Sequence, residues 1–221
     1  MKLFFEAIIK FSLGVVLIGL LVFLPAGSLN YLNGWIFMGV LFIPMFVAGI
    51  VMLIKSPNLL RSRLDAKEKQ KEQSLVVKLS GLMFIAGFIV AGLDYKYNWI
   101  EVPMFVSYIA TGFFVFAYIM YVFVLKQNAY LSRTIKVQEN QKVVSTGLYG
   151  VVRHPMYSAT IILFLAMPLI LGSLISFFIF LVYPILIGFR AVNEEKVLAK
   201  ELDGYTEYMQ KVKYRIIPFI W

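Results

Sequence analysis

Cysteine is absent from this chain of 221 residues, and histidine occurs once, at His154. The absence of cysteine excludes disulfides, thiolate metal sites and a cysteine nucleophile. One histidine without cysteine does not make a zinc-binding pattern, and a serine triad would need this same histidine as its base. The sequence also contains no P-loop and no glycine-rich dinucleotide fingerprint. These absences exclude the most familiar chemistry of soluble enzymes.

Charged residues are scarce, and three long segments contain none. Only 15% of the residues are charged and 61% are hydrophobic, with a mean hydropathy of +0.82. A soluble domain is about 25% charged and roughly 45–50% apolar. Residues 11–54, 102–125 and 156–189 carry no charge, and about 20 apolar residues suffice to cross a bilayer. The sequence therefore predicts an all-α, polytopic integral membrane protein.

The apolar runs predict five to six transmembrane helices. The first four cover about residues 4–24, 35–54, 79–93 and 103–125. We interpret the first as a retained span and not as a signal peptide, because a second apolar run follows at once. Residues 55–78 mix basic and acidic side chains, which predicts an amphipathic helix on the membrane surface or a solvated linker. The run 156–189 has Gly172 and Ser173 at its centre, which predicts a tight helical hairpin.

The net charge of +9 comes from basic residues placed between the apolar runs. This placement is typical of topology signals and not of a nucleic-acid surface. With six spans and a cytoplasmic N-terminus, 20 of the 21 basic residues lie inside and only Lys96 lies outside. We therefore expect both termini in the cytoplasm, and the cytoplasmic membrane as the location if the source is bacterial. Residues 1–125 would form the N-terminal transmembrane part, and residues 126–221 the catalytic region.

Two polar segments flank the predicted hairpin. Arg153, His154 and Tyr157 precede it, and Arg190 and Glu194 follow it. A hairpin brings the start of its first helix beside the end of its second, so these side chains should meet at the cytoplasmic membrane surface. Taken singly, each has an ordinary explanation, such as a topology anchor or an exposed ion pair. Their convergence is what indicates a functional site.

The stretch Arg153-His154-Pro155-Met156-Tyr157, followed by Glu194-Glu195, resembles a known signature. It is similar to the R-H-P-x-Y-x-G … E-E pattern of isoprenylcysteine carboxyl methyltransferases and the related phospholipid methyltransferases. Ala159 stands where that pattern has glycine. The resemblance extends over about residues 126–221, and the positions that agree outside the motif are Asn128, 143–149, Tyr205, Tyr208, Arg215 and Pro218.

This resemblance implies an S-adenosylmethionine-dependent enzyme with a cytoplasmic cofactor pocket and a lipid-like or prenylated acceptor, either a small molecule or a peptide. Arg190 would hold the carboxylate that accepts the methyl group, without a metal. The cofactor-binding residues implied by the same resemblance are Gln138, Gln141, Lys142, Val143, Val144, Tyr149, His154 and Glu194.

Three other functions stay open at the level of sequence. In a phospholipid N-methyltransferase the acceptor is an amine, which is a poor neighbour for Arg190. An NADPH-dependent membrane reductase would need a site for the 2′-phosphate. A channel or transporter would place polar or ionisable residues within its spans, and these spans have few.

Overall fold

The computed structural model describes residues 2–64, 71–128, 130–131, 137 and 139–221, and no β-strand occurs among them. These residues form α1 (Lys2–Ala26), α2 (Leu32–Lys55), α3 (Pro57–Leu64), α4 (Lys71–Tyr97), α5 (Met104–Gln127), α6 (Pro155–Ile170), α7 (Leu174–Phe180), α8 (Val182–Glu201) and α9 (Tyr205–Lys211). A short 3-10 turn covers Gly147–Gly150. The predicted all-α fold is confirmed.

Five helical segments of the described chain are long and apolar enough to cross a membrane. They are Leu3–Ala26, Leu32–Lys55, Gln73–Tyr97, Met104–Gln127 and Leu174–Glu201. Large apolar side chains on their outer faces are more than half exposed, for example Leu13, Ile43 and Phe113. A water-soluble protein rarely exposes so much contiguous apolar surface. The chain is an integral membrane protein, as predicted.

The sixth apolar segment, α6, is shorter: it has 16 residues and is therefore only about 24 Å long. Side chains from neighbouring segments satisfy the carbonyl groups at its end, as a low-dielectric surrounding requires. Ser107 Oγ donates to Leu169 O at 3.0 Å, Asn33 Nδ2 donates to Ile170 O at 3.0 Å, and the Tyr31 hydroxyl donates to Leu171 O. The chain then reverses at Gly172, whose φ of +73° suits glycine.

The predicted hairpin is confirmed, but its second arm is broken. This second arm consists of α7 and α8, with Leu181 between them. Pro184 lies in the first turn of α8 and has no N–H to donate to the carbonyl of Phe180, four residues earlier. The missing backbone hydrogen bond explains why the helix is interrupted between α7 and α8. The two arms of the hairpin also contact each other where Tyr183 Oη of α8 donates to Thr160 Oγ1 of α6 at 3.0 Å.

The polar segment predicted at 55–78 differs from the single amphipathic helix that we expected. The structure has the short α3, which begins with Pro57 at its first position, and then α4, which begins at Lys71. Residues 65–70 lie outside the described part. The predicted third span begins after the last charged residue, Lys78, whereas α4 begins earlier, at Lys71, and includes polar first turns before its apolar part.

The ends of the helices alternate between two faces of the bundle. We call the face that holds Arg153 the motif end. Lys10 Nζ donates to Leu64 O at 2.9 Å, and Arg63 Nη1 donates to Tyr121 Oη at 3.3 Å, so α3 also lies at the motif end. At the opposite end, Ser173 Oγ donates to Asp94 Oδ2 at 2.6 Å. The basic segment and the motif therefore share one end.

Candidate active site

The start of α6 fixes the motif in place. Pro155 occupies the first position of the helix, where its missing N–H costs nothing, and His154 is the N-cap. The backbone N–H groups of Arg153 and His154 donate to the carbonyls of Tyr214 and Arg215, at 2.9 and 2.8 Å. Residues 212–215 thus run alongside the motif and hold its backbone.

A buried carboxylate, Glu195, joins three parts of the chain. Arg153 Nε donates to its Oε1 at 2.6 Å, and Arg215 Nε donates to its Oε2 at 2.8 Å. His154 Nε2 lies 3.2 Å from Oε1. Since the Glu195 side chain is only 4% exposed and both oxygens are engaged, this carboxylate holds α6, α8 and the 212–215 segment together. It has little capacity left for a ligand.

The neighbouring carboxylate, Glu194, has a different environment. Its side chain is 25% exposed, and its Oε2 accepts a hydrogen bond of 2.5 Å from Tyr157 Oη. His154 Nδ1 lies 3.7 Å from the same oxygen. Arg190 Nε donates to Tyr157 Oη at 3.1 Å, so an arginine, a phenol and a carboxylate form one continuous chain. The predicted convergence of the two hairpin arms is confirmed.

A cleft opens beside Glu194 at the motif end. The space between its walls totals about 770 Å³, counting the part open to solvent. Its lining residues are Asn128, Tyr130, Leu131, Gln141, Lys142, Val143, Val144, Tyr149, Arg153, His154, Met156, Tyr157, Glu194, Leu198, Leu202, Tyr205 and Tyr208.

This lining contains seven of the eight residues predicted to bind the cofactor: Gln141, Lys142, Val143, Val144, Tyr149, His154 and Glu194. Gln138 lies outside the described residues. Arg190, predicted to hold the acceptor, is buried and does not line the cleft. It reaches the cleft only through Tyr157, which lines the cleft and whose hydroxyl accepts the hydrogen bond from Arg190 Nε.

The approach to Tyr149 is built on a tight turn. Gly147 has a φ of +60°, and a Cβ at this position would lie 2.3 Å from Gln127 Nε2, so only glycine fits without rearrangement. Gln127 Oε1 in turn accepts the backbone N–H of Leu148 at 3.1 Å. Asn128 Nδ2 donates to Tyr149 Oη at 3.0 Å. The end of α5 therefore places the Tyr149 ring in the cleft wall.

Five tyrosines line the cleft: Tyr130, Tyr149, Tyr157, Tyr205 and Tyr208. Burial raises the pKa of Tyr149 to about 12. Burial also raises the pKa of Tyr208 and that of Tyr205, where the charges of Glu195 and Glu194 add to the effect. Tyr208 Oη donates to Tyr149 O at 2.7 Å. The buried hydroxyl of Tyr205 has no hydrogen-bond partner among the described residues.

Several apolar residues of the cleft were not predicted from the sequence. Leu198 follows Glu194 by four residues, so it lies on the helical face that also carries Arg190. Extending that face along α8 would have found Leu198, whereas Leu202 comes directly after the end of the helix in an extended conformation. Tyr130 and Leu131 carried no signal, because they belong to a connecting segment without periodicity.

The fold and the cleft define a class of protein: a helical membrane protein with a site of tyrosine rings and one available carboxylate at the end of its bundle. The sequence model of the phospholipid methyltransferase family matches residues 102–203, which include all of the cleft except Tyr205 and Tyr208. The predicted resemblance to these membrane methyltransferases is confirmed for this part of the chain.

Two reductases are also similar to the chain over a short region. Delta(14)-sterol reductase TM7SF2 of Mus musculus is 34% identical over 91 residues, which are 40% of this chain and 22% of that protein. Delta(14)-sterol reductase of Methylotuvimicrobium alcaliphilum is 28% identical over 93 residues, 41% of this chain and 22% of that protein. The matched region thus covers about a fifth of the length of these curated relatives.

Proposed function

We propose that this protein is a membrane methyltransferase that uses S-adenosylmethionine and methylates a carboxylate of a lipid-like or prenylated acceptor. The observation that carries the proposal is the cleft itself. It pairs tyrosine rings, most of them buried, with the partly exposed carboxylate of Glu194, and almost all of it lies within the segment that matches the methyltransferase family. Aromatic faces and one carboxylate suit a ligand with a positive charge, such as a sulfonium.

The roles proposed for the cleft residues follow from their chemistry. The carboxylate of Glu194 is partly exposed to the cleft, so it can accept hydrogen bonds from ribose hydroxyls. The Tyr149 ring provides an electron-rich face, worth about 0.5–2 kcal/mol toward a cation. Lys142, exposed at the cleft rim, can bind the carboxylate of the methionyl group. We further propose that Gln141, Val143, Val144, His154 and, from the sequence alone, Gln138 complete the contacts.

When bound, S-adenosylmethionine supplies an electrophilic methyl group whose bonding pair stays on sulfur, so a carboxylate acceptor needs neither a metal nor a general base. The protein's task is then to orient the acceptor and exclude water, and orientation alone can supply about 7–11 kcal/mol. Arg190 is proposed to hold the acceptor carboxylate from the membrane side of Tyr157. Its fork of donors suits a carboxylate, and one of them already positions Tyr157 at 3.1 Å.

The basic segments support a cytoplasmic location for this site. Residues 55–64 and the motif share one end of the bundle, together with the start of α1. Lys96, the one basic residue that the six-span topology leaves outside, follows Asp94 at the opposite end. By the positive-inside rule we propose that the motif end and both termini face the cytoplasm, and that residues 126–221 act as the catalytic region.

Two alternatives have observations in their favour. The matched family is named for phospholipid methylation, which favours an amine acceptor. Methylation of an amine leaves a positive charge on its nitrogen, however, and the cationic Arg190 next to Tyr157 disfavours that charge. The reductase relatives favour an NADPH-dependent reaction. Among the described lining residues, the lysine and arginine side chains are those of Lys142 and Arg153, and Arg153 already forms an ion pair with Glu195. This leaves little positive charge to bind the three phosphate groups of NADPH.

Methyl transfer can be measured directly. The purified protein in lipid nanodiscs would be given S-adenosylmethionine with a radioactive methyl group, together with prenylated carboxylic acids, prenylcysteine or phosphatidylethanolamine. The proposal predicts label in a base-labile methyl ester of a carboxylate acceptor. Label in the phospholipid amine would replace it with the N-methyltransferase alternative. No label in any acceptor, combined with NADPH oxidation when a sterol or a polyprenoid is added, would identify the protein as a reductase.

A further inference from the structure

Residues 215–221 form a closed loop at the motif end. The main-chain oxygen of Trp221 accepts hydrogen bonds from the backbone N–H groups of Arg215, Ile216 and Ile217, at 2.9, 3.0 and 3.1 Å. The Trp221 N–H donates back to Ile217 O at 3.0 Å. The Arg215 guanidinium also lies 5.1 Å from the centre of the Trp221 ring. This loop is therefore held in one shape by its own bonds.

The tip of the loop exposes apolar side chains that its closed backbone holds outward. Phe219 is 86% exposed and Ile220 is 76% exposed. Phe219 has a φ of +66°, in the left-handed region that is costly for a bulky residue. The chain thus accepts backbone strain where two large apolar side chains are exposed, although the Phe219 ring contacts the Tyr214 ring, with the ring centres 5.4 Å apart. Exposed apolar groups held in this way are typical of a surface that meets another apolar phase.

The position of the loop identifies that phase. The Trp221 ring packs over Gly188 of α8, at the distance of van der Waals contact from a Cβ placed there. On the same helix Ile185 and Phe189 are more than 60% exposed, on a segment of membrane-spanning length. Ser158 Oγ, in the first turn of α6, donates to Ile216 O. The loop therefore lies at the depth where the apolar part of α8 ends, next to its lipid-facing side.

We infer that the tip of this loop, Phe219 and Ile220, inserts into the acyl region of the adjoining leaflet. The loop would thus be a membrane-contacting element of the active site. The lipid is favoured over a protein partner because the tip continues the exposed apolar surface of α8. The exposed side chains of Lys211 and Lys213 lie just before the loop, as expected for residues on the aqueous side of the same boundary.

Lipid contact at the tip acts on the catalytic motif through the backbone. The carbonyls of Tyr214 and Arg215 accept the N–H groups of Arg153 and His154, and Arg215 also donates to Glu195. Seating the tip in the leaflet fixes this segment, and the segment fixes the start of α6. The active site would therefore be fully ordered only when a bilayer is present.

The absence of cysteine from the chain makes a clean test possible. A spin label would be attached to F219C, and to K213C and F189C as aqueous and lipid-facing controls, in the whole chain of 221 residues in nanodiscs. Collisions of each label with oxygen and with a water-soluble nickel complex would be measured. We expect the oxygen-to-nickel ratio at position 219 to match that at 189 and to exceed that at 213 several-fold. I220C gives a second reading if F219C does not fold.

Two results would overturn the inference. A label at 219 or 220 that meets the nickel complex as freely as the label at 213 would place the tip in water. A label shielded from both reagents would mean that protein, and not lipid, covers it. The coupling has its own readout: F219S in nanodiscs should speed hydrogen exchange of the Arg153 and His154 amides several-fold, whereas F189S should not. Equal exchange in the two variants would refute the coupling.

Discussion

Replacing Glu195 by glutamine would remove the charge that holds three segments together. Arg153, with a side chain 6% exposed, would lose its ionic partner at 2.6 Å, while the Arg215 side chain is 31% exposed and could turn to solvent. Removing one partner of a buried ion pair costs about 3–5 kcal/mol. Because the Arg215 half is partly solvated, we expect the lower end, about 3 kcal/mol. For a chain of this size that corresponds to a fall in Tm of about 6–12 °C.

The adjacent residue supplies the matched control. Glu194→Gln keeps an oxygen that can accept from Tyr157 Oη, and the site is partly exposed, so the loss of stability should stay within about 1 kcal/mol. The same variant should lose most of its affinity for S-adenosylhomocysteine. Thermal unfolding in nanodiscs and calorimetric titration would be run on both variants. If Glu195→Gln unfolds within about 1 kcal/mol of the wild type, or if Glu194→Gln is the less stable of the two, this division of roles is refuted.

Four further substitutions test other parts of the site. Tyr205→Phe removes a buried hydroxyl without a described partner and should raise Tm, whereas Tyr208→Phe breaks a 2.7 Å bond and should lower it, each by an amount equivalent to about 1 kcal/mol; equal signs would contradict this. Gly147→Ala should cost at least about 1–2 kcal/mol in thermal unfolding, because of its positive φ and the contact with Gln127; a neutral result would refute the tight turn. Arg190→Lys should reduce methyl transfer about tenfold or more while leaving cofactor affinity nearly unchanged, since Arg190 does not line the cleft; parallel losses in rate and affinity would contradict its placement.

Most of the membrane helices could be predicted from the sequence because they contain no charge over 20 or more residues; the third predicted span, 79–93, is shorter. Gly172 likewise marked the reversal of the hairpin correctly. The break at Leu181 was missed, since Pro184 alone does not reveal whether a helix kinks or stops. The long polar start of α4 was missed for a related reason: hydropathy reports the apolar core of a helix and not its hydrogen-bonded length.

Within the site, the residues that lie next to recognisable motifs were found, and those that depend on tertiary contacts were not. The helical spacing of Arg190 and Glu194 was sufficient to place them together. That Glu195, and not Glu194, is the buried structural member of the pair cannot be read from two identical neighbours. Glu195 is distinguished from Glu194 by a tertiary contact: Arg215, 20 residues later in the chain, donates a hydrogen bond to its carboxylate. The interleaving of residues 212–215 with the motif has no sequence signal at all.

The central claim, a cofactor cleft for S-adenosylmethionine, is tested most directly by calorimetric titration of the purified protein with S-adenosylhomocysteine and, separately, with NADPH. The account predicts saturable binding of the adenosyl ligand, loss of that binding in Glu194→Ala, and no binding of NADPH. Failure of S-adenosylhomocysteine to bind a folded, cooperatively unfolding protein, with NADPH binding in its place, would contradict the account and identify a reductase.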